Sequence, residues 1–417
     1  MTTKNNIPTG YKDSAVGIIP QEWEIATLGK LGKVISGLTY SPDDISDTGI
    51  LVLRSSNIQN GMLSMADNVY VNTVSYNPVK TGDILICVRN GSKNLIGKSA
   101  YITPHYDGVA FGAFMSVYRS THNNYLKHLF NSDIFYKNVH RNLGATINSI
   151  NGNDLKKFII PIPPIAEQRK IAEILGVWDE AIEKQSRLIE KLELRKRALM
   201  QRLLTGRTRL SGFTTPWQKA KLGEIGKISS AGVDKKVNEG EVPVRLLNFV
   251  DVFYRDFIYN DELTHWVTAK PIKVEQCSVQ KGDIFFTPSS EMPTDIAISA
   301  VAMEDMKGVV YSYHIVRLRP HIEMDLHYRA YAFKTDEFYK QAERICDGSG
   351  QRYVISQDGF RNMSIHLPSL PEQKAIAEVL TAADKEIATH RKKLDALRLQ
   401  KRGLMQQLLT GKTRVKI

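Results

Sequence analysis

The chain has 417 residues, 42% of them hydrophobic and 24% charged, with a formal net charge of +12. That length and apolar content predict two to four domains with substantial cores, and the lack of any run of about 18 apolar residues or of an apolar leader in MTTKNNIPTG predicts a cytoplasmic chain, neither exported nor membrane-bound. Cys87, Cys277 and Cys346 stand far apart with no Cys or His at ligand spacing, which reads as buried thiols rather than disulfides or zinc ligands, and Lys plus Arg exceed Asp plus Glu by 56 to 44, which points to a polyanionic partner.

The first element is a strand-rich region, residues 1–163, with short β-branched and aromatic runs separated by Gly, Asn and Pro. Leu28-Gly29 and Gly32-Lys33 open it. Ser55 and Asn57 follow the strand-like Leu51-Val52-Leu53-Arg54. Gly82-Asp83 is a turn into the apolar strand Ile84-Leu85-Ile86, and Arg89-Asn90-Gly91-Ser92-Lys93 comes directly after it. Arg and Asn can each address a purine edge with two hydrogen bonds, while Ser and Lys suit phosphate. Arg89, Asn90, Ser92 and Lys93 are therefore candidate DNA contacts, with Ser55, Asn57, Thr146 and Asn148 as further candidates; an ordinary polar loop is the competing reading.

Residues 164–207 form the second element. Ile171, Leu175, Trp178, Ile182, Gln185, Ile189, Leu192, Lys196, Leu199 and Leu203 recur in alternating steps of four and three, which is the seam of a coiled helix. Pro163-Pro164 precedes it and Gly206, in Leu-Leu-Thr-Gly, stops it, so it spans roughly 60 Å at about 1.5 Å per residue.

The third element, residues 208–368, repeats the skeleton of the first in the same order. Leu222-Gly223 and Gly226-Lys227, then Asn248 after Val244-Arg245-Leu246-Leu247, then Gly282-Asp283-Ile284-Phe285-Phe286 answer the earlier positions. The loop after the second Gly-Asp strand is Thr287-Pro288-Ser289-Ser290-Glu291, so Thr287, Ser289, Ser290 and Glu291, with Asn248, Arg352 and Tyr353, are the candidate contacts of this half. Glu can accept from cytosine.

The last element, residues 369–417, is the second long helix. Residues 372–414 align without a gap to 167–209, with roughly half the positions identical, and place Ile376, Leu380, Ala383, Ile387, His390, Leu394, Leu397, Lys401, Leu404 and Leu408 on the same steps. Gln185 with His390, and Lys196 with Lys401, are polar at matching seam positions and can fix register. Ser369, Pro371 and Glu372 read as a capping box with Pro in the first turn, and Gly411 as the stop. Thr9-Gly10, Pro20 and Trp23 resemble Thr205-Gly206, Pro216 and Trp217, so the chain start reads as the continuation of the helix that stops at Gly411. The expected architecture is α/β (α+β): two strand-rich domains joined by two long antiparallel coiled-coil helices in a pseudo-two-fold circular arrangement. Two separate amphipathic helices, each packed on its own domain, are the simpler alternative.

Enzyme signatures are missing. Asn77-Pro78 is followed by Val79 and not by the Pro-aromatic of an amino-methyltransferase; Pro42-Asp43-Asp44 has no Glu until Glu167; and Gly348-Ser349-Gly350 reads as a loop, not a nucleotide cradle. No catalytic residue, cofactor or metal ligand is predicted.

The domain order, Pro163-Pro164-Ile165-Ala166-Glu167-Gln168, Leu370-Pro371-Glu372-Gln373, the Ile-Ala-Glu-x-Leu that follows each, and the paired Leu-Leu-Thr-Gly ends resemble the specificity (S) subunits of type I restriction-modification enzymes. The resemblance covers nearly the whole chain. It implies two target-recognition domains and two conserved-region helices in a subunit that is not itself catalytic. As partners it implies double-stranded DNA, two modification (methyltransferase) subunits that bind S-adenosylmethionine and methylate adenine, and restriction/translocase subunits in the full complex. A pseudo-symmetric, non-catalytic scaffold that binds nucleic acid nonspecifically is the alternative.

Overall fold

A computed structural model describes residues 7–73, 75–143, 148–349 and 352–417. The chain divides into two compact units, residues 1–186 with 392–417, and residues 187–391. Both are mixed α/β.

In the first unit the expected strand Ile84–Cys87 is central and wholly buried. It pairs antiparallel with Ser99–Tyr101 on one side and with Met115–Arg119 on the other, and Lys33–Ser36 extends the sheet. An unbroken apolar run suits a strand covered on both faces. The Gly-Asp turn before it has a clear cause. Gly82 takes φ +92°, where a side chain is strained. Asp83, 1% exposed, accepts from the Lys80 amide at 2.7 Å and holds Arg119 with two bonds of 2.8 and 2.6 Å. A smaller sheet pairs Ile50–Leu53 with Ala110–Phe111 in parallel and with Tyr70–Val71 antiparallel.

The second unit repeats this plan. Ile284–Phe286 lies between Ser299–Ala302 and Val316–Pro320, with Gly226–Ser229 beyond the latter. Asp283 accepts from the Gln280 amide at 2.8 Å and holds Arg319 at 2.7 and 2.7 Å. Its smaller sheet centres on Val242–Leu247, between Trp266–Ala269 and Met306–Tyr311.

The long helices span Ile165–Leu203 and Leu370–Leu408. Each stops as expected at a left-handed glycine, Gly206 at φ +69° and Gly411 at φ +71°. Each unit closes its core with the start of one helix and the end of the other. Ile171, Leu175, Met405, Leu408 and Leu409 belong to the first core, and Met200, Leu203, Leu204, Ile376, Ala377 and Leu380 to the second. Within the second unit the segments run antiparallel, since Glu193 pairs with Arg391, Arg195 with Glu386, and Lys196 with Asp384 at 2.5 Å. Within the first, Lys401 pairs with Asp179. The two polar seam lysines thus each find the same aspartate of the repeat on the other helix, which gives the register a charge partner that a one-turn slip would remove.

Three expectations need correction. Glu372 does not fold back onto Ser369 as a capping residue. Its carboxylate, fully buried, accepts from Arg209 at 2.5 and 2.7 Å and from the Trp217 indole at 3.0 Å. Glu167 does the same in the first unit, accepting from Arg414 at 2.8 and 3.0 Å and from the Trp23 indole at 2.9 Å. A bidentate guanidinium plus an indole N–H outweighs a local backbone amide as a partner. Tyr11 donates to the Gly411 carbonyl at 2.9 Å, so the chain start meets the end of the last helix within one unit. Cys346 is half-buried, unlike the interior Cys87 and Cys277. Gly348 and Ser349 lie in a strand, Asp347–Ser349, rather than a loop; Gly350 falls outside the described residues.

Candidate nucleic-acid interface

The loop after the central strand is built from three chain segments in each unit. In the first, Arg89 forms a bridge with Ser149, and Ile150 donates to the Val88 carbonyl at 2.8 Å. Asn90 donates to Ser55 Oγ at 3.0 Å, its Oδ1 accepts from the Ser92 amide at 3.0 Å, and Asn148 donates to the Gly91 carbonyl at 2.9 Å. Five of the expected residues therefore converge: Ser55, Arg89, Asn90, Ser92 and Asn148. Lys93 begins the next short turn, Lys93–Leu95, exposed like Arg89 and Ser92. Thr146 lies outside the described residues.

In the second unit the same place holds a three-stranded ribbon. Ser289–Ser290 pairs with Arg352–Val354, which pairs with Asp347–Ser349. Ser289 faces Val354, Ser290 faces Tyr353, and Arg352 reaches Ser289 Oγ at 3.4 Å. Ile355 donates to the Pro288 carbonyl at 2.8 Å, the counterpart of the Ile150 bond. Ser289, Ser290, Arg352 and Tyr353 are thus contiguous, and Glu291 follows them, exposed.

Asn57, Asn248 and Thr287 are placed differently, in the interior. Asn57 is 0% exposed; its amide donates to the Ser64 and Asp67 carbonyls at 3.1 and 3.0 Å, and its oxygen accepts from the Arg54 amide at 2.9 Å. Asn248 is 4% exposed and begins a short helix in which Asp251 accepts from its amide at 2.8 Å. Thr287 is 0% exposed, and its hydroxyl oxygen accepts from the Ile298 amide at 3.0 Å. Asn248 donates its side-chain amide to the Leu246 carbonyl at 3.4 Å and its buried Oδ1 has no partner among the described residues, whereas the side-chain atoms of Asn57 and Thr287 serve the backbone. They hold the loops in place.

A turn that was not among the sequence candidates lies beside each loop. In the first unit Gly112-Ala113-Phe114 joins two strands; Phe114 is 57% exposed, and the Arg89 guanidinium carbon lies 5.9 Å from its ring centre. The second has Ser312-Tyr313-His314, with the two rings 3.9 Å apart and Tyr313 49% exposed. Burial, then Lys235 and Arg352, push the His314 imidazole below its usual pKa. Lys236 pairs with Asp234 at 3.0 Å. The only signal in the sequence was an aromatic beside small residues between two strand runs.

Cys87 offers no nucleophile here, because burial pushes its thiol up to about 11. Among the described residues no group of three or more His, Cys, Asp or Glu could hold a metal ion, and no helix is long and apolar enough to cross a membrane. The chemistry on offer is recognition: cations for phosphate, amides and hydroxyls for base edges, and exposed rings.

Residues 20–194 and 215–399 each match the family described as type I restriction modification DNA specificity domain. A putative type I restriction enzyme specificity subunit, MjaX, of Methanocaldococcus jannaschii is 25% identical, over 97% of both chains. The StySPI specificity subunit of Salmonella potsdam is 28% identical, over 86% of this chain and 81% of its own, and that of EcoKI from Escherichia coli is 24% identical, over 87% and 82%. Among solved structures, a chain from a study of type I R-M complex assembly aligns with TM-score 0.59 and 18% identity, over 95% of this chain and 99% of that one. The S subunit from M. genitalium aligns with TM-score 0.51 and 16% identity, over 98% and 99%. At these identities the likeness is one of fold.

Proposed function

The chain belongs to the type I restriction-modification DNA specificity family, and from that premise we propose that it is the DNA-recognition subunit of such a complex, reading a bipartite, asymmetric site with one domain per half-site. The recognition domains are residues 1–163 and 208–368, and the conserved spacers 164–207 and 369–417. The observation that carries this reading is the contrast at one place in a shared scaffold. The loop after the buried Gly-Asp strand carries Arg89-Asn90-Gly91-Ser92-Lys93 in one unit and Ser289-Ser290-Glu291 beside Arg352 in the other, while the Asp83–Arg119 and Asp283–Arg319 pairs beneath are the same. A common frame with different polar tips suits two readers of different sequence.

The helices act as ruler and docking platform in this proposal. Each has 39 residues, about 58 Å at 1.5 Å per residue, enough to bridge half-sites one helical turn, about 34–36 Å, apart on B-DNA. Exposed Val177, Leu188, Leu194 and Leu399 supply apolar contact for two modification subunits carrying S-adenosylmethionine, and restriction/translocase subunits join the full complex. The chain itself is non-catalytic in that assembly.

Long-read methylation sequencing of the source genome should show an adenine-methylated motif of two short blocks with a gap. Four residues, about 6 Å of helix, inserted into one long helix should change the gap by one or two base pairs. An unchanged motif refutes the ruler. Arg89→Ala with Asn90→Ala should weaken specific binding far more than nonspecific binding, and equal losses would reduce the loop to an electrostatic contact.

A further inference from the structure

An aromatic ring at a strand turn normally turns inward, because exposing it forfeits its burial. Phe114 does the opposite. It precedes Met115, Ser116, Val117 and Tyr118, all buried, yet is 57% exposed. Loose backbone is not the reason. Gly112 donates to the Leu53 carbonyl at 3.0 Å, Met115 to the Gly112 carbonyl at 2.8 Å, and the Val88 and Arg89 amides both donate to the Phe114 carbonyl, at 3.0 and 3.1 Å.

The second unit fixes the same turn. Ser312 donates to the Leu247 carbonyl at 2.9 Å, Tyr313 to that of Val233 at 3.1 Å, and Ile315 to that of Ser312 at 3.1 Å. Counting from the matched arginines Arg119 and Arg319, His314 stands where Phe114 does, and Tyr313 packs on it. Both turns are also pressed by a glycine. A Cβ at Gly37 would come within 2.2 Å of the Gly112 carbonyl oxygen, and one at Gly232 within 2.2 Å of the Ser312 and Tyr313 backbone. Two units whose loop sequences differ widely thus each hold aromatic rings outward, on a braced turn.

The surroundings are cationic. Arg89 stands over Phe114, and Lys235 and Arg352 act on His314, with Asp234 the opposing acid. Cations beside an exposed ring complement the two parts of a nucleotide: phosphate for the charge, sugar and base edge for the ring.

Resting on the reading of these domains as DNA readers, we propose that Phe114 in one unit and the Tyr313–His314 pair in the other are apolar contacts to the duplex, pressing on deoxyribose and base edges beside each polar loop. Such a contact releases no counterions, so its contribution to affinity is independent of salt, unlike that of a phosphate-binding lysine such as Lys93.

The test uses the full-length chain and a labelled duplex enriched by the wild-type chain from a random-sequence pool, with binding measured across a salt series. Phe114→Ala should weaken binding about tenfold and leave the slope of log K against log salt unchanged, with Phe114→Leu intermediate; Lys93→Ala, at a phosphate candidate, should flatten that slope by about one. His314→Ala with Tyr313→Ala should behave like Phe114→Ala. Wild-type affinity in Phe114→Ala, or a loss that appears only as a changed salt slope, overturns the proposal while leaving the DNA-reader assignment standing. Loss of a co-purifying subunit with DNA binding intact also overturns it, by making the turn a protein contact. A wild-type chain that enriches no sequence overturns both readings together.

Discussion

Only three residues follow Arg414 in the sequence, a place where truncation or substitution is usually mild, yet the structure gives it a large effect. It supplies two hydrogen bonds to Glu167, whose carboxylate is fully buried; the Trp23 indole supplies one more. Arg414→Met leaves that carboxylate with a single donor. Stranding one member of a buried ion pair costs about 3–5 kcal/mol; Arg414 is 37% exposed, so water can follow its departure, and the lower end, about 3 kcal/mol, is expected. Glu167→Gln should cost about 1.5 kcal/mol, since Arg414 keeps Glu22 at 2.9 Å and a surface to solvate it. In the double variant a neutral amide replaces the stranded charge, so the total should be about 2.5 kcal/mol rather than the additive value, a coupling near 2 kcal/mol. Urea unfolding followed by circular dichroism resolves this: with a slope of roughly 3 kcal/mol per molar, Arg414→Met moves the midpoint by about 1 M. Additive costs, or a single-variant shift under about 0.2 M, would refute the reasoning. The Arg209 and Glu372 cycle in the other unit should give the same sign.

Gly232→Ala should destabilise the second unit by about 2 kcal/mol or more, read as a lowered Tm, because its Cβ would overlap the Ser312–Tyr313 backbone rather than a movable side chain. A thiol reagent at pH 8 should modify Cys346 in the folded chain and leave Cys87 and Cys277 untouched until unfolding, since both are 0% exposed; mass mapping of the labelled peptides reads this directly. His128 is 2% exposed, 3.4 Å from Asp179, and burial, then Lys401 and Lys127, hold its pKa well below 6.5. The unfolded chain therefore takes up a proton first as pH falls. Stability from this group is complete above 6.5 and declines by about 1.4 kcal/mol per pH unit below it, toward the folded pKa; His128→Phe should flatten that limb of a Tm-against-pH curve.

Much of the frame was legible in the residues. A short apolar run after a Gly-Asp turn suits an interior strand, and repeated steps of four and three suit a helix with one buried seam, so Ile84–Cys87, Ile284–Phe286 and the two long helices were legible from pattern. The helix stops at Gly206 and Gly411 were local in the same way, set by the left-handed conformation that glycine takes most easily. The candidate site was half legible. Arg89, Asn90 and Ser92 were picked by type and by position after a strand, and the fold keeps them together on one loop. Asn57, Asn248 and Thr287 have the same chemistry, and nothing in their neighbours along the chain says that they are buried.

What the sequence determined, then, is whatever depends on adjacent residues: element type, element length, the duplication, and the family they resemble. The tertiary structure decided which distant groups meet. Glu372 looked like a cap until Arg209 and Trp217 reached it, Lys196 and Lys401 were register-fixing seam positions whose partners only the fold named, as Asp384 and Asp179, and Phe114 was an ordinary aromatic until its backbone was pinned outward beside Arg89. Hydrogen bonds and ion pairs act over a few ångströms of space whatever the separation along the chain, so only the folded arrangement shows which partner wins.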